Sequence, residues 1–149
     1  MTVLKLDAGH IGIFVIVAVA LAGAFCSDNF SGRQGRLLEG IQADLPVPGS
    51  FALVSERTIS KLSHVVSTRN YRCPSPYSEI KSFYVSELEQ RGWRLSRENV
   101  VREWGTDYGG YSLVFARDEL QLTVQFRGRR ALPDGWDYAI SVSWQQVIL

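Results

Sequence analysis

Apolar and polar positions change period along this chain, and each change marks an element. Phe51 to Glu56 reads as a first strand, and a second lies between His64 and Arg72. Ile80, Phe83, Tyr84 and Leu88 then fall at i, i+3, i+4 and i+8, one apolar stripe of a helix. Ser75 and Pro76 suit its start and Gly92 its stop, so the helix is expected over 76–91. Beyond Gly92 the period shortens. Trp93 to Trp104 predicts one strand or a strand pair, and Tyr108-Gly109-Gly110-Tyr111 a turn. Leu113 and Phe115 alternate with polar or small neighbours, as do Leu120, Leu122, Val124 and Phe126. The short Arg117-Asp118-Glu119 link predicts a hairpin between them. A last strand over 137–144 sets Tyr138, Ile140, Val142 and Trp144 on one face. Strands with one apolar and one polar face predict an antiparallel sheet, covered on one side by the helix. The fold class expected is α+β, a two-layer domain with one main helix on an antiparallel sheet.

Upstream the pattern is different. No Asp, Glu, Lys or Arg occurs between Asp7 and Asp28, and Ile11 to Cys26 is almost wholly apolar. Such a run matches the roughly 30 Å hydrocarbon layer of a bilayer, so a transmembrane helix over 11–27 is expected. It follows a tail over 1–10 and precedes a linker over 28–48, the α+β domain over 49–146 and a tail over 147–149. Two other fates compete with a retained anchor. Ala18-Val19-Ala20, Ala20-Leu21-Ala22 and Ala22-Gly23-Ala24 fit a signal-peptide cleavage pattern, and Cys26 fits a lipidated cysteine. The weakly basic start and the bulky Phe25 before Cys26 favour retention. Ala18, Ala22 and Gly23 form a small-residue face for packing against another membrane helix. Arg33 and Arg36 would hold the C-terminal side in the cytoplasm. The short tail before the apolar run, and the strand-rich domain, instead favour an extracytoplasmic domain. Within the linker, 36–44 reads as a short helix near the headgroups, with Leu37, Leu38 and Ile41 on one side and Gly40 weakening it.

Tyr71-x-Cys73-x-Ser75, Glu79-Ile80, Phe83-Tyr84, Leu88 and Gly92-Trp93 together resemble a pattern of small uncharacterised bacterial domains tethered outside the membrane. The resemblance implies a helix-on-sheet fold in an extracytoplasmic, membrane-anchored setting. It brings no catalytic residue.

Charge and composition narrow the chemistry. A formal net charge of +1 removes any general case for nucleic acid. The two histidines, His10 and His64, stand far apart, and His64 has no ligand at metal spacing, so no metal site is expected. No Gly-x-Ser-x-Gly elbow or phosphate loop occurs, and Asp118-Glu119 and Glu98 with Glu103 read as solvated acids. Neither an enzyme nor a cofactor is expected. The two cysteines make no disulfide framework, and Cys73 reads as a core residue. Asn29-Phe30-Ser31 matches a glycosylation acceptor.

Two surface features remain. Arg127, Arg129 and Arg130 form a basic run with Phe126 and Trp136 as stacking neighbours, against the simpler reading of a solvated loop. Trp104, Tyr108, Tyr111 and Trp136 fall near predicted turns, where amphipathic rings suit a protein interface or lipid headgroups. The function expected is a non-enzymatic accessory module docking on a membrane protein or complex at the bilayer. The alternative is a binding domain for a small ligand, lipid or envelope polymer.

Overall fold

The computed structural model describes residues 32–61, 64–128 and 135–144. Within them the chain forms a helix α1 over 32–43, strands β1 (Ala52–Lys61) and β2 (His64–Arg72), and helix α2 (Tyr77–Glu89). Strands β3 (Arg94–Glu103), β4 (Thr106–Arg117), β5 (Leu120–Phe126) and β6 (Tyr138–Trp144) follow. The six strands make one sheet in the order β1-β2-β6-β5-β4-β3, and every neighbouring pair is antiparallel. β3 to β6 run as a meander, while β2 closes against β6. The link from β2 to the far edge strand β3 therefore has to traverse the sheet, and α2 is that link.

The ends of α2 explain its placement. Pro76 caps it in an extended conformation, and its missing N–H costs nothing at a helix start. At the other end Gly92 takes φ +80°, and the Trp93 N–H reaches back to the Leu88 carbonyl at 3.0 Å. That six-to-one closure needs a residue that tolerates the left-handed region, which glycine does. Ile80, Tyr84 and Leu88 are the buried face.

Register sets the core. Leu122 lies opposite Val142 and Phe115, and Val124 opposite Ile140 and Leu113, so these side chains share the helix-facing side. All are fully or nearly fully buried, each contributing about 1.5–3 kcal/mol relative to exposure. The opposite face carries Thr123, Ser141 and Thr68 in register, with Thr68 and Ser141 hydroxyls 2.9 Å apart. Among the described residues no helix covers it.

The expected architecture needs two corrections. Two helices, not one, cover the sheet. α1 belongs to the core and is not a short stalk element: Leu38 is 0 % exposed and packs with Leu45 in the same cluster as Ile140. Gln42 donates to the Ile140 carbonyl at 3.2 Å, and Arg69 donates to the Gln42 carbonyl at 3.1 Å. A Cβ at Gly35 would touch Thr58 of β1 at 3.7 Å, and Leu37 points outward. The second correction concerns the membrane. Among the described residues no helix is long and apolar enough to cross a bilayer, so the described fold is the two-helix sheet without the expected transmembrane helix. The expected span over 11–27, with Ala18, Ala22 and Gly23, lies outside the described residues. So do His10, Cys26 and the Asn29 acceptor.

One turn moves. The β3–β4 reversal is at Trp104-Gly105, whose φ values of 51° and 82° make the tight turn that suits twisted strands. Tyr108 to Gly110, expected as the turn, lie inside β4.

Candidate functional site

At the sheet end where β4 begins and β5 finishes, the backbone departs from regular pairing. Val101 of β3 pairs with Gly110, but the next residue, Arg102, pairs with Asp107, so Tyr108 and Gly109 are extra. Gly109 takes φ +73°, and the Asp107 Oδ1 accepts its N–H at 2.8 Å. A bulge of this kind re-aims a side chain out of the strand. The end of β5 clamps it from the other side. Gly128 has φ +78°, and a Cβ there would lie 2.2 Å from the Tyr108 carbonyl oxygen and 2.7 Å from Gly109 and Gly110 backbone atoms. Only a residue without a side chain lets the two backbones approach so closely.

The bulge forms one rim of a groove of about 610 Å³ lined by Pro76, Tyr77, Asp107, Tyr108, Gly109 and Phe126. The first turn of α2 forms the other. Tyr77 stacks on Tyr111 with ring centroids 4.5 Å apart and planes 14° apart, and on Phe126 at 5.8 Å. From Phe126 the rings continue inward through Tyr138 at 5.0 Å, Phe51 at 5.2 Å and Tyr71 at 5.0 Å. The groove therefore opens onto a continuous aromatic wall anchored in the core.

The Tyr77 ring is fixed by polar contacts. Its hydroxyl donates to Glu98 Oε1 at 2.9 Å, while Lys81 donates to Glu98 Oε2 at 2.6 Å. The Lys81 hydrogen bond, then that of Tyr77, hold the Glu98 carboxyl below its ordinary range. Burial first, then the bond to Glu98, pushes the Tyr77 phenol far above its own. Tyr77 is thus a neutral donor and Glu98 a fixed acceptor at neutral pH.

The residues singled out from the sequence divide clearly. Tyr108 lines the groove, 39 % exposed, and Tyr111 backs it through Tyr77. Arg127 is buried with its guanidinium 5.1 Å over the Trp136 ring, beside the Gly128 clamp. Trp104 stands apart at the β3–β4 tip, 99 % exposed. Arg129 and Arg130 lie outside the described residues. Asp137 braces this end: its carboxylate accepts the Cys73 N–H at 2.9 Å and its own N–H donates to the Tyr71 carbonyl at 2.8 Å.

Pro76, Tyr77 and Asp107 were not singled out as site residues. Tyr77 extends the apolar stripe one step upstream of Ile80, a spacing open to reading. Asp107 carried no such signal, because its role depends on a bulge that pairing alone defines. Among the described residues no group of three or more His, Cys, Asp or Glu side chains could hold a metal ion.

The described residues thus define a helix-capped antiparallel sheet with an aromatic-walled groove at one end. Residues 54–133 match the START domain-like family, and the chain belongs to it. No curated protein and no solved structure matches the chain.

Proposed function

We propose that this domain binds a small, largely apolar molecule in the groove between the first turn of α2 and the β4 bulge, without chemical conversion. The observation that carries the reading is the groove itself: about 610 Å³, walled by Tyr77, Tyr108 and Phe126. Its volume falls within the 300–1,000 Å³ typical of ligand sites, and its walls are rings with a few polar groups at the rim. Membership of a START domain-like family supports the same reading, since START domains often bind ligands. The rigidity of the rim favours binding too, because a bulge already clamped by glycines loses little freedom when a ligand arrives.

Native mass spectrometry of the protein from its own cells should find a small molecule retained, and titration with anilinonaphthalene sulfonate should give saturable fluorescence. Tyr108→Ala should weaken the dye about tenfold, the effect of losing one ring's burial of about 1–2 kcal/mol, with Tyr108→Phe restoring most of it. Unchanged dye affinity in Tyr108→Ala would remove this groove from consideration.

A second reading, a non-enzymatic accessory module docking on a neighbouring protein, is favoured by Trp104, whose ring is held out on a tight turn. Mild-detergent co-purification compares them: a stoichiometric protein partner lost in Trp104→Ser supports docking, and its retention argues against that surface.

A further inference from the structure

We propose that the sheet face turned away from the helices binds an acidic polysaccharide, a sugar chain bearing carboxylates, laid across the strands from β1 to β3. The inference does not depend on the groove. Charge is sorted by face on both edge strands. Neighbouring residues of a strand point to opposite faces, and Glu56 and Arg57 on β1, like Arg97 and Glu98 on β3, are such neighbours. Both acids lie on the helix side, where Arg69 pairs with Glu56 at 2.9 Å and where Tyr77 and Lys81 of α2 hold Glu98. Both arginines are left on the other face, and both are exposed.

Register joins the two arginines. Arg57, Thr68, Ser141, Thr123, Val114 and Arg97 stand opposite one another in turn, one from each strand. Strands lie about 4.8 Å apart, so the row is about 24 Å long. In the rows flanking it, from Ile59 to Arg94 and from Ser55 to Asn99, register places a third exposed arginine, no Asp or Glu and no aromatic residue. Asp118 and Glu119 lie beyond these rows in the β4–β5 turn, and Glu103 is the last residue of β3, beside the β3–β4 turn. Among the described residues the side chains of Arg57, Arg94 and Arg97 make no hydrogen bond or ion pair. The face is thus positive at its edges and floored mostly by hydroxyls and amides. Even the Thr68 and Ser141 hydroxyls, paired at 2.9 Å, keep further hydrogen-bonding capacity.

This pattern selects among anionic partners. A nucleic-acid strand stacks its bases on rings, and these rows hold none. Anionic membranes are held by clusters of about 4–8 basic residues, whereas Arg57 and Arg97 stand at opposite edges. Protein hot spots favour Trp and Tyr and are poor in Ser and Thr, the reverse of this floor. An acidic polysaccharide offers hydroxyls all along the chain for the Ser, Thr, Asn and Gln floor. Its carboxylates meet the guanidinium forks at the margins.

The test titrates the full chain by calorimetry with hexagalacturonate, neutral maltohexaose and hexaglutamate. Hexagalacturonate should bind with a Kd below about 1 mM, and the other two at least about tenfold more weakly. Arg57→Gln and Arg97→Gln should each weaken hexagalacturonate about tenfold. Arg33→Gln, an equal charge change at an exposed position on α1, should leave it within about twofold. Amide resonances of Thr68, Thr123 and Ser141 should shift on binding, and dye affinity in the groove should be the same in all three variants. Hexaglutamate binding as tightly as hexagalacturonate would overturn the assignment to a polysaccharide. No binding of hexagalacturonate, or equal weakening by Arg33→Gln, would overturn the face as its site and leave the groove reading standing.

Discussion

Replacing Gly128 by alanine tests the geometry on which the site depends. Two costs add at this position. The first is conformational: φ is +78°, and an L side chain in the left-handed region costs about 1–2 kcal/mol. The second is steric. The new Cβ would sit 2.2 Å from the Tyr108 oxygen and 2.7 Å from atoms of Gly109 and Gly110, where real Cβ atoms stay beyond 3.0 Å. All three neighbours are backbone, so no rotamer change relieves the contact, and forced overpacking of this kind costs about 1–3 kcal/mol more.

Gly105 supplies the control. Its φ is +82°, nearly the same, but a Cβ there meets nothing within 4 Å. Gly105→Ala should therefore show the conformational cost alone. Urea unfolding followed by circular dichroism should place Gly128→Ala below Gly105→Ala by about 2 kcal/mol. For a domain of this size that corresponds to about 8–16 °C in Tm. Gly128→Ala should also shift the amide resonances of Gly109 and Gly110, and Gly105→Ala should not. Equal destabilisation by the two variants, with those amides unmoved, would show that the end of β5 does not clamp the bulge. The rim of the groove would then lose its physical basis.

Two further outcomes follow from the same contacts. Folding lowers the Glu98 pKa, so the stability it contributes is present above the ordinary carboxyl value of 4.5 and is lost as pH falls through the lower folded value. Lys81→Met should raise the Glu98 titration midpoint toward 4.5 in a carboxyl NMR titration, and an unmoved midpoint would show that Lys81 is not its partner. Leu38→Ala should cost about 2–5 kcal/mol if α1 is part of the core, whereas a detached stalk would tolerate it within about 0.5 kcal/mol.

How much of this was legible depends on whether the signal was local. The stripe of Ile80, Tyr84 and Leu88 anticipates α2 almost to its ends, because Pro76 and Gly92 act on their own neighbours alone. β5 and β6 are equally plain: alternation fixes the buried face before any partner is known, and Leu122 meets Val142 as that face requires. α1 was misassigned for an intelligible reason. Leu37 and Leu38 are adjacent in sequence and look alike, but they lie about 100° apart on a helix, so only one can face the sheet. Leu38 does, while Leu37 is 50 % exposed; Gln42 completes the inward line as a polar residue that a hydrophobic pattern cannot register. The bulge was least legible of all. Tyr108-Gly109-Gly110-Tyr111 has turn chemistry, and glycine at positive φ serves a turn and a bulge equally. What decides between them is the pairing of Arg102 with Asp107 and the approach of Gly128 from another strand, neither of which is a property of the segment itself. The candidate site is built from those non-local approaches. Tyr108, Tyr111 and Phe126 could therefore be named from the sequence, while the places of Tyr77 and Asp107 beside them became visible only with the helix docking and the register.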